Sequence, residues 1–124
     1  MSKNNQLGHI ARFGPAIKNS LVGLAAAYKY EIAFRQYSWM FIFLLPTAVY
    51  IASSVAEFAV LILSVVAILV AELLNTAVEA AIDRISLEQH ELSGKAKDLG
   101  SAAVFVALTG FVLVWGYKIF TMLV

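Results

Sequence analysis

The sequence predicts an all-α membrane protein, a surface helix followed by three transmembrane helices in one domain, residues 1–124. Three observations carry this reading. Hydrophobic residues make up 61% of the 124-residue chain and its mean hydropathy is +0.83, more apolar surface than a soluble domain of this size can hide. Apolar runs occupy about residues 38–56, 58–82 and 101–124. The segment before them, about residues 9–35, repeats apolar residues at helical spacing. The chain has no cysteine, which leaves no disulfides and no thiolate metal site. The net charge of +1 gives no nucleic-acid footprint, and no nucleic-acid partner is expected.

Residues 1–8 are polar and expected to be mobile. No short apolar core precedes a small-residue cleavage site, so no removable signal peptide is expected. Ile10, Phe13, Ile17, Leu21, Leu24, Tyr28 and Ile32 form one stripe, with Arg12, Lys18, Asn19 and Lys29 off it. A basic helix of this kind lies along a membrane surface; the alternative is a helix packed on its own bundle. Gly14-Pro15 marks its start, with Pro15 at the first helical position. Residues 38–56 span about 28 Å as a helix, close to the hydrocarbon thickness. Pro46 predicts a kink mid-span, and Trp39 and Tyr50 suit the two interfaces. Ser54 and Glu57 have capping-box spacing and start the second span. A polar stretch, residues 86–98, precedes the third run, which carries Trp115, Tyr117 and Lys118 toward its far end.

Cations set the orientation. Lys3, Arg12, Lys18, Lys29 and Arg35 precede the first span, and Arg84, Lys95 and Lys97 lie between the second and third. The positive-inside rule puts these segments in the cytoplasm and the C-terminus outside. Lys118 is an exception and is expected to snorkel outward.

Chemistry concentrates in the second span, where Glu72, Asn75 and Glu79 follow one another at i, i+3 and i+7 on one face. Burying a carboxylate in hydrocarbon costs several kcal/mol, so such residues mark function. Glu72 lies about 16 Å deeper than Asp83, which marks the cytoplasmic edge, and Glu79 about 6 Å deeper. Glu72 is therefore at the depth of a short-headed lipid's hydroxyl, where a general base would meet an alcohol. Glu79 and Glu31 make two carboxylates suited to magnesium with phosphate and water ligands. Lys95 and Lys97 at a helix start oppose the macrodipole, which makes sense if a polyanion joins them; ordinary positive-inside charge is the other account. Ser93-Gly94-Lys95 is no phosphate loop: the upstream glycine is missing and Ala96 replaces Ser or Thr. Asn75 alone would suit interhelical bonding, His90 a plain loop, and Trp115 an interface anchor before a substrate contact.

The segment from Ala71 through Glu72, Asn75, Glu79, Asp83 and Arg84 to Ile85 closely resembles the bacterial integral-membrane diacylglycerol kinases. So does the segment from His90 through Lys97, Asp98 and Ser101 to Ala103, and Glu31-Ile32-Ala33-Phe34-Arg35-Gln36 matches a third family motif. The resemblance runs from about Arg12 to the C-terminus. It implies a homotrimeric helical bundle in the bacterial inner membrane whose active sites are shared between neighbouring chains. It implies transfer of the ATP γ-phosphoryl group to diacylglycerol, giving phosphatidic acid for phospholipid recycling, with Mg2+ as cofactor. By motif position Glu72 is the catalytic base and Asn75 orients the base or the metal shell. Glu31 and Glu79 hold magnesium. ATP would be met by Lys97 and Asp98, with Arg12, Glu31, Glu79, Glu88 and His90 nearby, and the lipid by Arg12, Glu72, Ser101 and Trp115. Pro15, Leu21 and Ala25 depart from the residues relatives often carry on the surface helix, which bears on lipid preference rather than on the reaction. The alternative within the class is an undecaprenol kinase, although Leu92-Ser93-Gly94 and Gly100-Ser101-Ala102-Ala103 look more like the diacylglycerol branch. A small proton-coupled transporter is the rival from another class; it accounts for Glu72 but not for Glu31 or the lysine-bearing loop.

Overall fold

The computed structural model describes residue 8 and residues 10–124, so the expectations for residues 1–7 and for a helix start at position 9 lie outside the described residues. The described chain holds four long helices: α1 Phe13–Tyr30, α2 Ile32–Ile51, α3 Val55–Ile85 and α4 Glu91–Leu123. Each boundary has a local cause. Arg12 is the N-cap of α1 and the first bond runs from Ala16 N to Arg12 O at 3.3 Å. Pro15 is therefore the third helical residue, not the first, and remains among the positions whose N–H has no partner inside the helix.

The stripe expected to run through residue 35 is broken at Glu31, whose φ of −104° and ψ of 112° are extended. Its N–H still closes α1 on Ala27 O at 2.9 Å, and its carbonyl opens α2 by accepting from Arg35 N at 3.1 Å. A single residue thus separates α1 from α2. The chain leaves α2 at Ala52, short of the expected residue 56. Ser54 then caps α3, its Oγ accepting from Glu57 N at 3.1 Å. The return arm of the capping box reaches one residue further back than expected: Glu57 Oε2 accepts from Ser53 N rather than Ser54 N.

At 31 and 33 residues, α3 and α4 are about 46 and 50 Å long, more than a hydrocarbon layer needs. Both are apolar enough to cross a membrane. The expected first span, α2, is not among them; Arg35, Gln36, Tyr37 and Ser38 make its first turns polar. The expected polar loop 86–98 shortens to residues 86–90, because His90 caps α4 with Nδ1 accepting from Leu92 N at 3.1 Å. Lys95 and Lys97 consequently sit inside the first two turns of a helix.

The closest packing is α3 on α4, then α2 on α3, with α1 touching α2. Ala48, Leu61, Val65 and Trp115 form the core that joins α2, α3 and α4. Trp115 is 6% exposed, and its indole N–H is shared between Leu61 O and Ser64 Oγ, both at 3.2 Å. It is a packing residue here rather than an interface anchor. Lys118 does not snorkel either. It is 8% exposed and its Nζ lies 2.9 Å from Glu57 Oε1 and 3.3 Å from Ser53 Oγ.

Candidate functional site

The site grows from one face of α3. Glu72 is 7% exposed, among the few buried residues of its helix, in a stretch whose other buried members are Leu61, Val65 and Ile68. Asn75 lies one turn further on, and its Nδ2 donates to Glu79 Oε1 over a long 3.4 Å. Glu79 and Glu31 are near enough for their charges to act on Glu72. Helical period accounts for the first three, while Glu31 arrives because the α1–α2 break holds it beside α3. Among the described residues none of these three acids has a cation within ion-pair distance. Asn75 Oδ1 is buried and accepts no hydrogen bond.

Two hollows adjoin the C-terminal half of α3, and Glu72, Asn75 and Glu79 line neither. The first, about 450 Å³, is lined by Asp83, Ser86, Glu88, His90, Gly94 and Lys97 among others. Lys97 Nζ is 2.7 Å from Asp83 Oδ1. The hydrogen bond to Asp83 and its charge raise the pKa of the Lys97 ammonium, which lies outside the apolar run that begins at Ser101. The second hollow, about 550 Å³, is an apolar groove between α1 and α3, lined by Gly23, Ala27, Tyr30, Glu31, Thr76 and Ala80 among others.

Glu88, His90 and Lys97 thus line one cleft, and Glu31, Glu72, Asn75 and Glu79 are not among its lining residues. The remaining expected residues are elsewhere. Asp98 is exposed and does not line the cleft. Arg12 and Ser101 are exposed and make no side-chain hydrogen bond or ion pair among the described residues. Trp115 is in the helix-packing core. Asp83, to which the sequence assigns a depth and a place in the family-like segment but no role, also lines the cleft; it stands four residues after Glu79, on the same side of α3.

The donor chemistry suits a hard cation. Among the described residues no group of three acids or histidines forms a metal cage on its own. The carboxylates of Glu31 and Glu79 nevertheless suit an ion that keeps water and takes phosphate oxygens for its other positions.

Residues 18–119 match the family described as prokaryotic diacylglycerol kinase. The chain is similar to the diacylglycerol kinase of Haemophilus influenzae, 42% identical over 97% of this chain and 99% of the relative. It is 48% identical to the Pseudomonas aeruginosa diacylglycerol kinase over 77% and 78% of the two chains. To the Escherichia coli K12 diacylglycerol kinase it is 41% identical over 90% and 91%.

Proposed function

This chain belongs to the prokaryotic diacylglycerol kinase family, and on that premise we propose that Glu72 is the general base for phosphoryl transfer from ATP to the primary hydroxyl of diacylglycerol. The chain is a diacylglycerol kinase. The observation that carries the assignment of the base is a buried carboxylate, Glu72, with no cationic partner among the described residues, in a helix apolar enough to cross a bilayer.

The lipid hydroxyl gives its proton to a Glu72 oxygen as its own oxygen bonds to the γ-phosphorus. The bond to the β–γ bridging oxygen breaks, ADP leaves and phosphatidic acid remains. Glu72 then returns the proton to water. Asn75 holds Glu79 in place through its amide. Lys97 offsets negative charge on the phosphates, and Asp83 fixes where Lys97 points. Magnesium, with Glu31 and Glu79 among its ligands, would supply further charge neutralisation. The cleft around Lys97 takes the nucleotide, and the groove beside Glu31 is open to lipid. His90, committed to capping α4, contributes to the cleft's shape.

The surrounding arrangement belongs to the same proposal. The protein sits in the bacterial inner membrane with the cleft in the cytoplasm and the C-terminus in the periplasm, in keeping with Arg84, Lys95 and Lys97 at the C-terminal end of α3 and beyond it. Helix α2 is the third spanning helix, and three copies assemble. Support for assembly comes from α4, where Phe105, Leu113 and Phe120 are all exposed.

The test is a lipid competition. Purified protein in mixed micelles with labelled ATP, Mg2+, diacylglycerol and undecaprenol is expected to phosphorylate diacylglycerol preferentially, read by thin-layer chromatography. Preference for undecaprenol moves the substrate assignment, and no labelled lipid at all ends the reading. A parallel flux assay in proteoliposomes is expected to show no proton movement.

A further inference from the structure

Gly100 lies inside α4, where glycine weakens a helix relative to alanine. Its backbone does not need glycine: no glycine among the described residues has a positive φ. The reason is on the facing helix. A methyl group placed on Gly100 would overlap Asn75 Oδ1 and stand 3.3 Å from Asn75 Cγ. The same methyl would be 3.6 Å from Asn75 Cα, an ordinary contact. Space for the backbone of α3 is therefore sufficient. Space for the carboxamide is not.

The orientation of that carboxamide is fixed by chemistry. The Glu79 carboxylate only accepts, so the Asn75 amide nitrogen must face it and the oxygen must face Gly100. The oxygen is buried there, and no described residue donates to it. Nothing else in the described structure holds it in that direction. A methyl on residue 100 would be met by rotating a short side chain, the cheapest available response, and rotation breaks the Asn75–Glu79 contact.

We propose that Gly100 is a positioning residue for the kinase reaction: the absence of a side chain opens the slot in which the Asn75 carboxamide lies and keeps it on Glu79. This rests on the reading of Glu79 and Asn75 given above. It also gives a physical task to the first residue of the Gly100-Ser101-Ala102-Ala103 element.

The test is a double-variant cycle of Gly100→Ala and Asn75→Ala in the full-length protein in lipid micelles. It reads kcat, KM for diacylglycerol, the Mg2+ concentration for half-maximal rate, and the thermal midpoint. Gly100→Ala is expected to lower kcat about tenfold or more, to raise the Mg2+ requirement and to leave the lipid KM within about twofold. Its thermal midpoint should stay within about 5 °C of wild type, because α3 and α4 need not separate. Added to Asn75→Ala, it should cost nothing further. Wild-type kcat in Gly100→Ala overturns the proposal. So does an equal loss in both backgrounds, or a larger fall in the thermal midpoint, since either makes the glycine a packing residue alone. A wild-type protein with no turnover on diacylglycerol overturns the kinase reading, and this inference with it.

Discussion

Among the described residues Glu72 has no ion-pair partner, and that sets what its replacement should do. A buried carboxylate without a cation is costly to the fold, and a neutral amide of the same shape is cheaper. Glu72→Gln should therefore melt no lower than wild type while losing at least about 100-fold in kcat, the usual contribution of a positioned base. Thermal unfolding beside the micelle assay checks both halves; retained turnover removes Glu72 from the role of base. Glu79→Gln should behave differently. Its partner Asn75 can still bond an amide, so the expected effect is a rise in the Mg2+ needed for half-maximal rate, by about tenfold, and an unchanged Mg2+ titration would remove it from the metal shell. These acids were legible in the sequence because polar residues at helical period stand out against an aliphatic run. Asp83 was only half legible, for it sits at the boundary where charge is ordinary. Gly100 was not legible at all. Its meaning depends on which residue of α3 stands opposite, and no local pattern states that.

At the scale of helices, existence was readable and ends were not. The stripe from Ile10 to Ile32 gives no sign of the extended residue at Glu31, since neither glycine nor proline marks it. The start of α4 at Glu91 was hidden by charged residues that look like loop but propagate a helix once His90 caps it. Lys118 and Trp115 were misread for one shared reason. Interface statistics describe side chains facing lipid, whereas both of these face α3. The pair of Lys118 and Glu57 ties the far end of α4 to the α2–α3 turn. Glu57→Gln should lower the thermal midpoint by stranding a buried ammonium, and Glu57→Gln with Lys118→Met should recover part of the loss. Neither should alter kcat per folded protein, because Glu57 is about 22 Å along α3 from Glu72. A midpoint that does not move in the single variant would show the pair to be worth nothing.

Among the described residues little apolar surface is buried: Ala27, Phe34, Ala48, Leu61, Val65, Ile68, Val104 and Trp115 are the buried hydrophobic ones. Val60, Leu63, Val70 and Leu74 on α3 are exposed, as are Phe105, Val112, Leu113 and Phe120 on α4. Lipid or a second copy of the chain can cover such faces. Glu31, Glu72, Asn75 and Glu79 are gathered in one copy, while Arg12 and Ser101 stand exposed without polar partners among the described residues. If a neighbouring copy brings its Arg12 to this copy's acids, two inactive proteins should repair each other. Glu72→Gln and Arg12→Ala, each of low turnover alone, should regain activity when unfolded together, mixed in equal amounts and reassembled in lipid. Chance pairing in a symmetric ring leaves about a quarter of the sites with both native residues. Reassembly of each variant alone should regain nothing. Mixed material that stays at the level of its parents would mean that every chain works with its own Arg12, and the shared site would have to be given up while the base, the cleft and the reaction stood.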